Sequence, residues 1–375
     1  MNQKNLQVIF KKYIDHFERI NSVENDENYK WEIAQKFQEF DVDAPDFADM
    51  LLRMLKISEN LIDSSQQLPF YALVDYARKE PETVREMFRA LFADEHLDVE
   101  AKQATIVAFI EASEELRKKY SPDSRLYMNN QRSVMMYLFL KYPNSNYGYK
   151  ASQAKSFADC IEFYDDWGPM NDFNLGISCR MCDQLVEEIK KCDALVATHK
   201  SRYENTDRNF HADENLHILA LDIIYSSQVY NFYDGMTFAP INAQARKLHF
   251  ERVKKANELK EALEKAQAAD ALLTEAREYF IKAFETIKTV KHKAFGEGTV
   301  ESFDGSILAV YFPKVDATKK LGLTMSLQNK LIICEAEGFT EAVEKYSDVM
   351  KYEHQIPSNL KRAEEEIQPY LEYLE

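Results

Sequence analysis

Residues 291–313 read KHKAFGEGTVESFDGSILAVYFP. Only nine glycines occur in 375 residues, yet Gly296, Gly298 and Gly305 fall within ten positions of one another. Glycine admits positive φ and close backbone approach, so glycines set between β-branched and aromatic runs mark tight turns between short strands. The stretch predicts a small β module, with Phe295 tucked inward and Lys291, His292 and Lys293 beside a tight turn.

Working outward, the apolar period changes to two after Ile287. Residues 298–300, 307–312 and 320–323 predict three to five short strands, joined at Asp304-Gly305 and at Pro313. The module, residues 288–333, has the size of an SH3-like or tudor-like barrel. Helical spacing returns in residues 334–375, over 339–352 and again over 360–374.

Upstream, period 3.6 dominates. Leu6, Ile9, Phe10, Tyr13, Ile14, Phe17 and Ile20 make one apolar stripe, and others follow at 29–40, 47–61, 70–76, 84–92, 105–120 and 132–142. Pro45 before Asp46 and Pro81 before Glu82 read as helix starts. Residues 1–230 are therefore expected to form a helical bundle. Residues 240–287 hold neither Gly nor Pro after Pro240, and Ala256, Leu259, Leu263 and Ala266, then Ala269, Leu273, Ala276, Phe280, Ala283 and Ile287, follow heptad-like steps. A long coiled-coil-like helix here would dimerise, fold back as a hairpin, or brace the bundle. The expected fold class is mainly α, carrying one small β-barrel.

Composition excludes several classes. The net charge of −16 opposes non-specific adhesion to nucleic acid or anionic membrane, so phosphate contact must be local. No apolar run reaches a membrane span, and the amphipathic amino terminus is unlike a signal peptide, so a cytoplasmic, membrane-free location is expected. Five cysteines fit reduced thiols.

Two resemblances attach to particular residues. Val290-Lys-His-Lys-Ala-Phe-Gly-Glu-Gly-Thr-Val300, with Asp304-Gly305, Val310-Tyr-Phe-Pro313 and Lys319-Lys-Leu321, resembles the tudor-like module at the carboxyl end of UvrD/PcrA helicases, across about 45 residues. That resemblance implies a docking element for RNA polymerase or other partners. Tyr29-Lys-Trp-Glu32, Asp43 to Met50, Glu80 to Arg89, Tyr137 to Pro143, Tyr147 to Lys150 and Asn215 to Tyr225 are similar to the helical amino-terminal region of some McrB-type AAA+ restriction ATPases. That likeness implies recognition of modified or foreign DNA, or scaffolding. No G-x-x-x-x-G-K-[ST] loop occurs, so the motor is missing and no ATP is expected to bind.

The residues suggest little catalysis. Cys179-Arg-Met-Cys182, with Cys160, Cys192 and His199 nearby, lacks a second paired motif, and on a helix two cysteines three apart merely share a face. His211 to His217 reads as a polar loop with a helix cap. Pro45-Asp46 and Glu100-Ala-Lys102 echo nuclease carboxylates but fall in helical pattern. No enzyme, metal or cofactor is expected.

Binding surfaces are the stronger expectation. Residues 288–330 carry seven lysines against four acids, a local +3 that leaves −19 elsewhere. The expected partner-binding residues are Lys291, His292, Lys293, Phe295, Gly296, Gly298, Lys314, Lys319 and Lys320. A nucleic-acid surface is expected at Arg132, Lys141, Tyr142, Tyr147, Tyr149 and Lys150, where aromatics that stack bases interleave with cations that meet phosphates. These expectations describe a non-catalytic recognition or adaptor subunit of a bacterial restriction or antiphage system. The helical module would sense DNA, and the barrel would dock an effector such as a motor ATPase, a nuclease or RNA polymerase. A protein-only adaptor without DNA contact is the alternative.

Overall fold

The computed structural model describes residues 1–63, 67–169, 171–204 and 206–374. The chain divides into two compact units, Met1–Arg246 and Lys247–Glu375.

The first unit is built of helices joined by turns and loops. Its elements are α1 (Gln3–Asp15), α2 (Phe17–Ile20), α3 (Tyr29–Phe37), α4 (Phe47–Ile62), α5 (Pro69–Ala77), α6 (Pro81–Leu91), α7 (Val99–Tyr120), α8 (Gln131–Lys141), α9 (Ala151–Cys160), α10 (Leu175–Lys190), α11 (Asp193–Ser201) and α12 (His217–Val229). Local chemistry sets their starts. Asp46 caps α4 by accepting the Asp49 N–H at 2.9 Å, so the helix begins at Phe47, two residues after the expected start at Pro45. Pro69 and Pro81 occupy first turns, Asp98 caps α7 through the Ala101 N–H, and Asn130 with Ser133 forms a capping box on α8.

The core is dense in aromatics. The Phe88 ring lies 5.0 to 6.1 Å from the rings of Phe40, Phe70, Phe92, Phe109 and Tyr137. Helix α8 is buried on every side, as its run VMMYLFL requires. Charge is buried too. The Lys30 ammonium of α3 is 1% exposed, donates to Asp222 Oδ1 of α12 at 2.5 Å, and is also bonded to Glu27. Arg202 bonds Tyr13 of α1, whose hydroxyl donates to Asp222, so this network ties four parts of the unit together.

The second unit is built on α13 (Ala243–Thr286), whose first turn contains the division between the units. It is one continuous helix of 44 residues, so the hairpin alternative does not hold. After it come β1 (Thr289–His292), β2 (Gly296–Phe303), β3 (Ile307–Phe312), β4 (Ala317–Gly322), α14 (Leu323–Gln328), β5 (Ile332–Ile333), α15 (Phe339–Lys351) and α16 (Ile356–Ile367). The strands make an antiparallel sheet in the order β4-β3-β2-β1-β5, curled into a half-open barrel. A register shift between Val300 and Ser302 leaves Glu301 as the bulged residue that bends β2.

The apolar stripe of α13 is used within its own unit. Leu273, Ala276, Phe280 and Phe284 pack into one core with Val290, Leu308, Val310, Phe312, Phe339 and Tyr346. Farther back along α13, Ala262, Ala266 and Ala269 share a groove with Ile356, Asn359 and Ala363 of α16, and Arg252 donates to the Tyr373 hydroxyl at 2.6 Å. The carboxyl-terminal segment therefore returns antiparallel along α13. The strand expected at 320–323 runs instead from Ala317 to Gly322 and ends where the buried Leu323 opens α14.

Candidate functional site

Gly296 adopts φ +79°, the left-handed conformation needed to turn β1 into β2. Gly298 answers a different need: a Cβ there would lie 2.5 Å from Phe312 Cδ1 and 2.6 Å from Val310 Cγ1. Just before Gly296, Phe295 folds onto the inner face, its ring 4.6 Å from His292 and 5.3 Å from Phe312.

The expected partner-binding residues separate into groups. His292 is 7% exposed, its Nδ1 accepts the N–H groups of Ala294 and Phe295, and burial lowers its pKa. Its ring holds the turn, so His292 is corrected from a contact residue to a structural one, as is the buried Gly298. Lys291 and Lys293 are exposed at the β1 side of the sheet, with Lys291 opposite Glu297. Lys314, Lys319 and Lys320 belong to the other side. Lys319 Nζ lies 5.8 Å from the Phe295 ring, and Lys314 Cδ would meet a Cβ on Gly296 at 3.9 Å. The fold thus brings Phe295, Gly296, Lys314 and Lys319 together, with Lys320 next along β4.

The expected nucleic-acid surface is not formed. Tyr147 and Tyr149 are 8% and 3% exposed. The Tyr147 hydroxyl donates to Asp183 at 2.7 Å, and Tyr149 stacks on Phe173 at 4.2 Å. Tyr142 donates to the Phe92 carbonyl, Lys141 to that of Phe40, and Lys150 to that of Leu61. Arg132 donates to Gln67 Oε1. Burial pushes Lys150 down to about 8 and lowers Arg132 and Lys141 as well. The cations close over carbonyls while the aromatics fill the interior, so these six residues are corrected from a stacking surface to parts of the core and its lids.

The other motifs fall inside the helical unit. Cys179 and Cys182 lie on α10, where burial pushes Cys179 up to about 11 and Cys182 well above the usual thiol range. Asp213 reaches over the start of α12 and accepts the Ile218 and Leu219 N–H groups, both at 2.9 Å. Leu216, just before that helix, is held at φ +63°. His217 then stands at the first position of α12, its ring 4.0 Å from that of Tyr147.

Sequence reading missed the consequence of these placements. Lys102, Cys179 and His217, noticed in three unrelated motifs, line one cleft of about 460 Å³ with Tyr147 and Asp183. No spacing in the sequence joins them; only the packing of α7, α8, α10 and the start of α12 does. Comparison with family models, with characterised proteins and with solved structures gives no match to this chain. The two likenesses read from the sequence rest on their quoted residues alone.

Proposed function

We propose that this chain is a non-catalytic adaptor whose β module takes up an acidic, extended segment of a partner protein along β4. The observation that carries the reading is the open, lysine-rich edge of that strand. Among the described residues β4 pairs only with β3. The Leu323 N–H donates to Ser306 O at 2.9 Å, in register with the β3–β4 ladder. Hydrogen-bonded pairs alternate in an antiparallel ladder, so positions 317, 319 and 321 face β3 while the backbones of Thr318, Lys320 and Gly322 face away. Residues 307–330 carry four lysines against one acid, in a chain of net charge −16.

An added strand would gain main-chain hydrogen bonds from the edge and its selectivity from the lysines. Lysines on an edge also repel a basic strand, so the charge that protects the edge selects what joins it. We read the strand order, with short α14 before β5, as an SH3-like or tudor-like barrel, a shape suited to such docking. The McrB-type resemblance suggests a restriction or antiphage assembly, where a motor or nuclease would be the partner, and the helicase-module resemblance suggests a docking role. DNA sensing by residues 132–150 is left out of this reading, because their side chains are bonded inward.

The test is fluorescence anisotropy of a labelled peptide of alternating Asp/Glu and Val, against its lysine counterpart, at several salt concentrations. The acidic peptide should bind saturably and more weakly as salt rises. Thr318→Pro removes an N–H that faces away from β3, so it should abolish binding while leaving the sheet folded. Lys320→Glu should weaken binding about tenfold. Undiminished binding by Thr318→Pro would overturn the proposal, as would equal affinity for the basic peptide.

A further inference from the structure

The cleft in the helical unit has a floor and a charge that do not match each other. Its floor is apolar: Ile106, Met135, Leu138 and Leu175 are at most 4% exposed. Lys102 projects into it from the second turn of α7, its Nζ 3.1 Å from the Ser145 carbonyl. Among the described residues it forms no ion pair, and burial lowers its pKa. A half-buried ammonium facing an apolar floor with only a carbonyl for company is a costly arrangement that an incoming anion relieves.

The rest of the lining narrows the class of anion. Asp183 and Glu95 also line the cleft, and the Asp183 carboxylate is engaged by the Tyr147 hydroxyl. Two acids against one unpaired cation oppose a phosphate or a dicarboxylate. The volume of about 460 Å³ lies in the range of small-molecule sites. The walls are also firmly held. His217 bonds the Asn146 carbonyl through Nδ1 at 3.0 Å, Asn215 donates to the Asn144 carbonyl at 2.7 Å, and Asp213 fixes the start of α12 behind them.

We infer that this cleft binds a small organic monocarboxylate with an apolar body, its carboxylate on Lys102 and its body over Ile106, Leu138 and Leu175. The inference is independent of the β4 edge, which belongs to the other unit.

The test is isothermal titration of the whole protein with 4-phenylbutyrate, 4-phenylbutanol and 4-phenylbutylamine, which share a body and differ in head group. The acid should bind one to one, about tenfold tighter than the alcohol, with the amine weakest. Lys102→Met should bring the acid down to the affinity of the alcohol, and Lys102→Arg should retain most of the difference. Glu95→Gln, a near-isosteric change that removes a negative charge from the lining, should strengthen the acid and spare the alcohol, which separates charge from any loss of fold. No saturable binding of the acid up to about 10 mM, equal affinity for acid and alcohol, or acid binding unchanged in a folded Lys102→Met protein would each overturn the inference.

Discussion

Replacing Lys30 by Met tests the account of the helical unit most severely. The Lys30 ammonium is 1% exposed and is bonded to both Glu27 and Asp222, which are themselves buried. Methionine fills the volume of the lysine stem but leaves two carboxylates in the interior, with Arg202 as the remaining cation, 4.0 Å from Asp222. Removing one partner of a buried pair costs about 3–5 kcal/mol, because the charge left behind has lost its compensation. For a unit of this size, that lowers the melting temperature by about 10 °C.

The same geometry fixes the pH dependence. Burial alone would depress the Lys30 pKa, but Asp222, Tyr29 and Glu27 outweigh it and raise the pKa above the ordinary lysine value. A base whose folded pKa is raised contributes fully below its unfolded pKa, about 10.4, and loses the contribution only above it. The contribution of Lys30 itself should therefore not change between pH 6 and pH 9, and a smaller Lys30→Met penalty at pH 6 reads out protonation of the stranded carboxylates. Urea denaturation followed by far-UV circular dichroism measures it at both. Lys30→Met combined with Asp222→Leu should cost less than the sum of the single changes, since the pair then leaves together. A single-variant cost below about 1 kcal/mol would refute the reasoning, because it would mean that the network is not desolvated.

Three further outcomes follow from the packing. Phe88→Ala, at the centre of the aromatic cluster, should cost about 4 kcal/mol in the same denaturation experiment. Gly298→Ala puts a Cβ against Phe312 and Val310 and should destabilise the β module by about 1–3 kcal/mol, visible as early loss of its amide protection in hydrogen exchange. Lys150 titrates at about 8 in the folded chain, because burial disfavours its charge. Protonation thus destabilises the fold at neutral pH, and stability due to this group rises from pH 8 towards its unfolded pKa. The stability of Lys150→Met relative to the parent should accordingly fall as pH rises from 8 to 10, measured by thermal melts.

Much of the fold was legible because periodicity reports burial. The stripe at Leu6, Ile9, Phe10 and Tyr13 is the buried face of α1, and the glycine-rich stretch at 291–313 is the turn and first three strands of the sheet. The same signal failed at residues 132–150. Aromatics spaced along a helix look alike whether they face solvent or core, and Lys141 and Lys150 disguise the burial by spending their ammonium groups on backbone carbonyls. His292 misled for a related reason, since its neighbours Lys291 and Lys293 are exposed while alternation along β1 turns it inward. The cleft was not legible at all, because Lys102, Tyr147, Cys179 and His217 come together through the packing of segments distant in sequence. The free edge of β4 was equally hidden, since strand order is a property of pairing rather than of composition.

The most direct test of the adaptor reading is residue-resolved amide hydrogen exchange of β4 by nuclear magnetic resonance, with and without the acidic peptide. In the free protein the amides of Lys319 and Leu321 should be protected by β3, while those of Thr318, Lys320 and Gly322 exchange freely. Peptide at saturation should slow these last three and leave Lys291 and Lys293 side-chain signals unshifted. Unchanged exchange at Thr318, Lys320 and Gly322 with peptide bound would contradict the account, because the partner would then not be joining the sheet at β4.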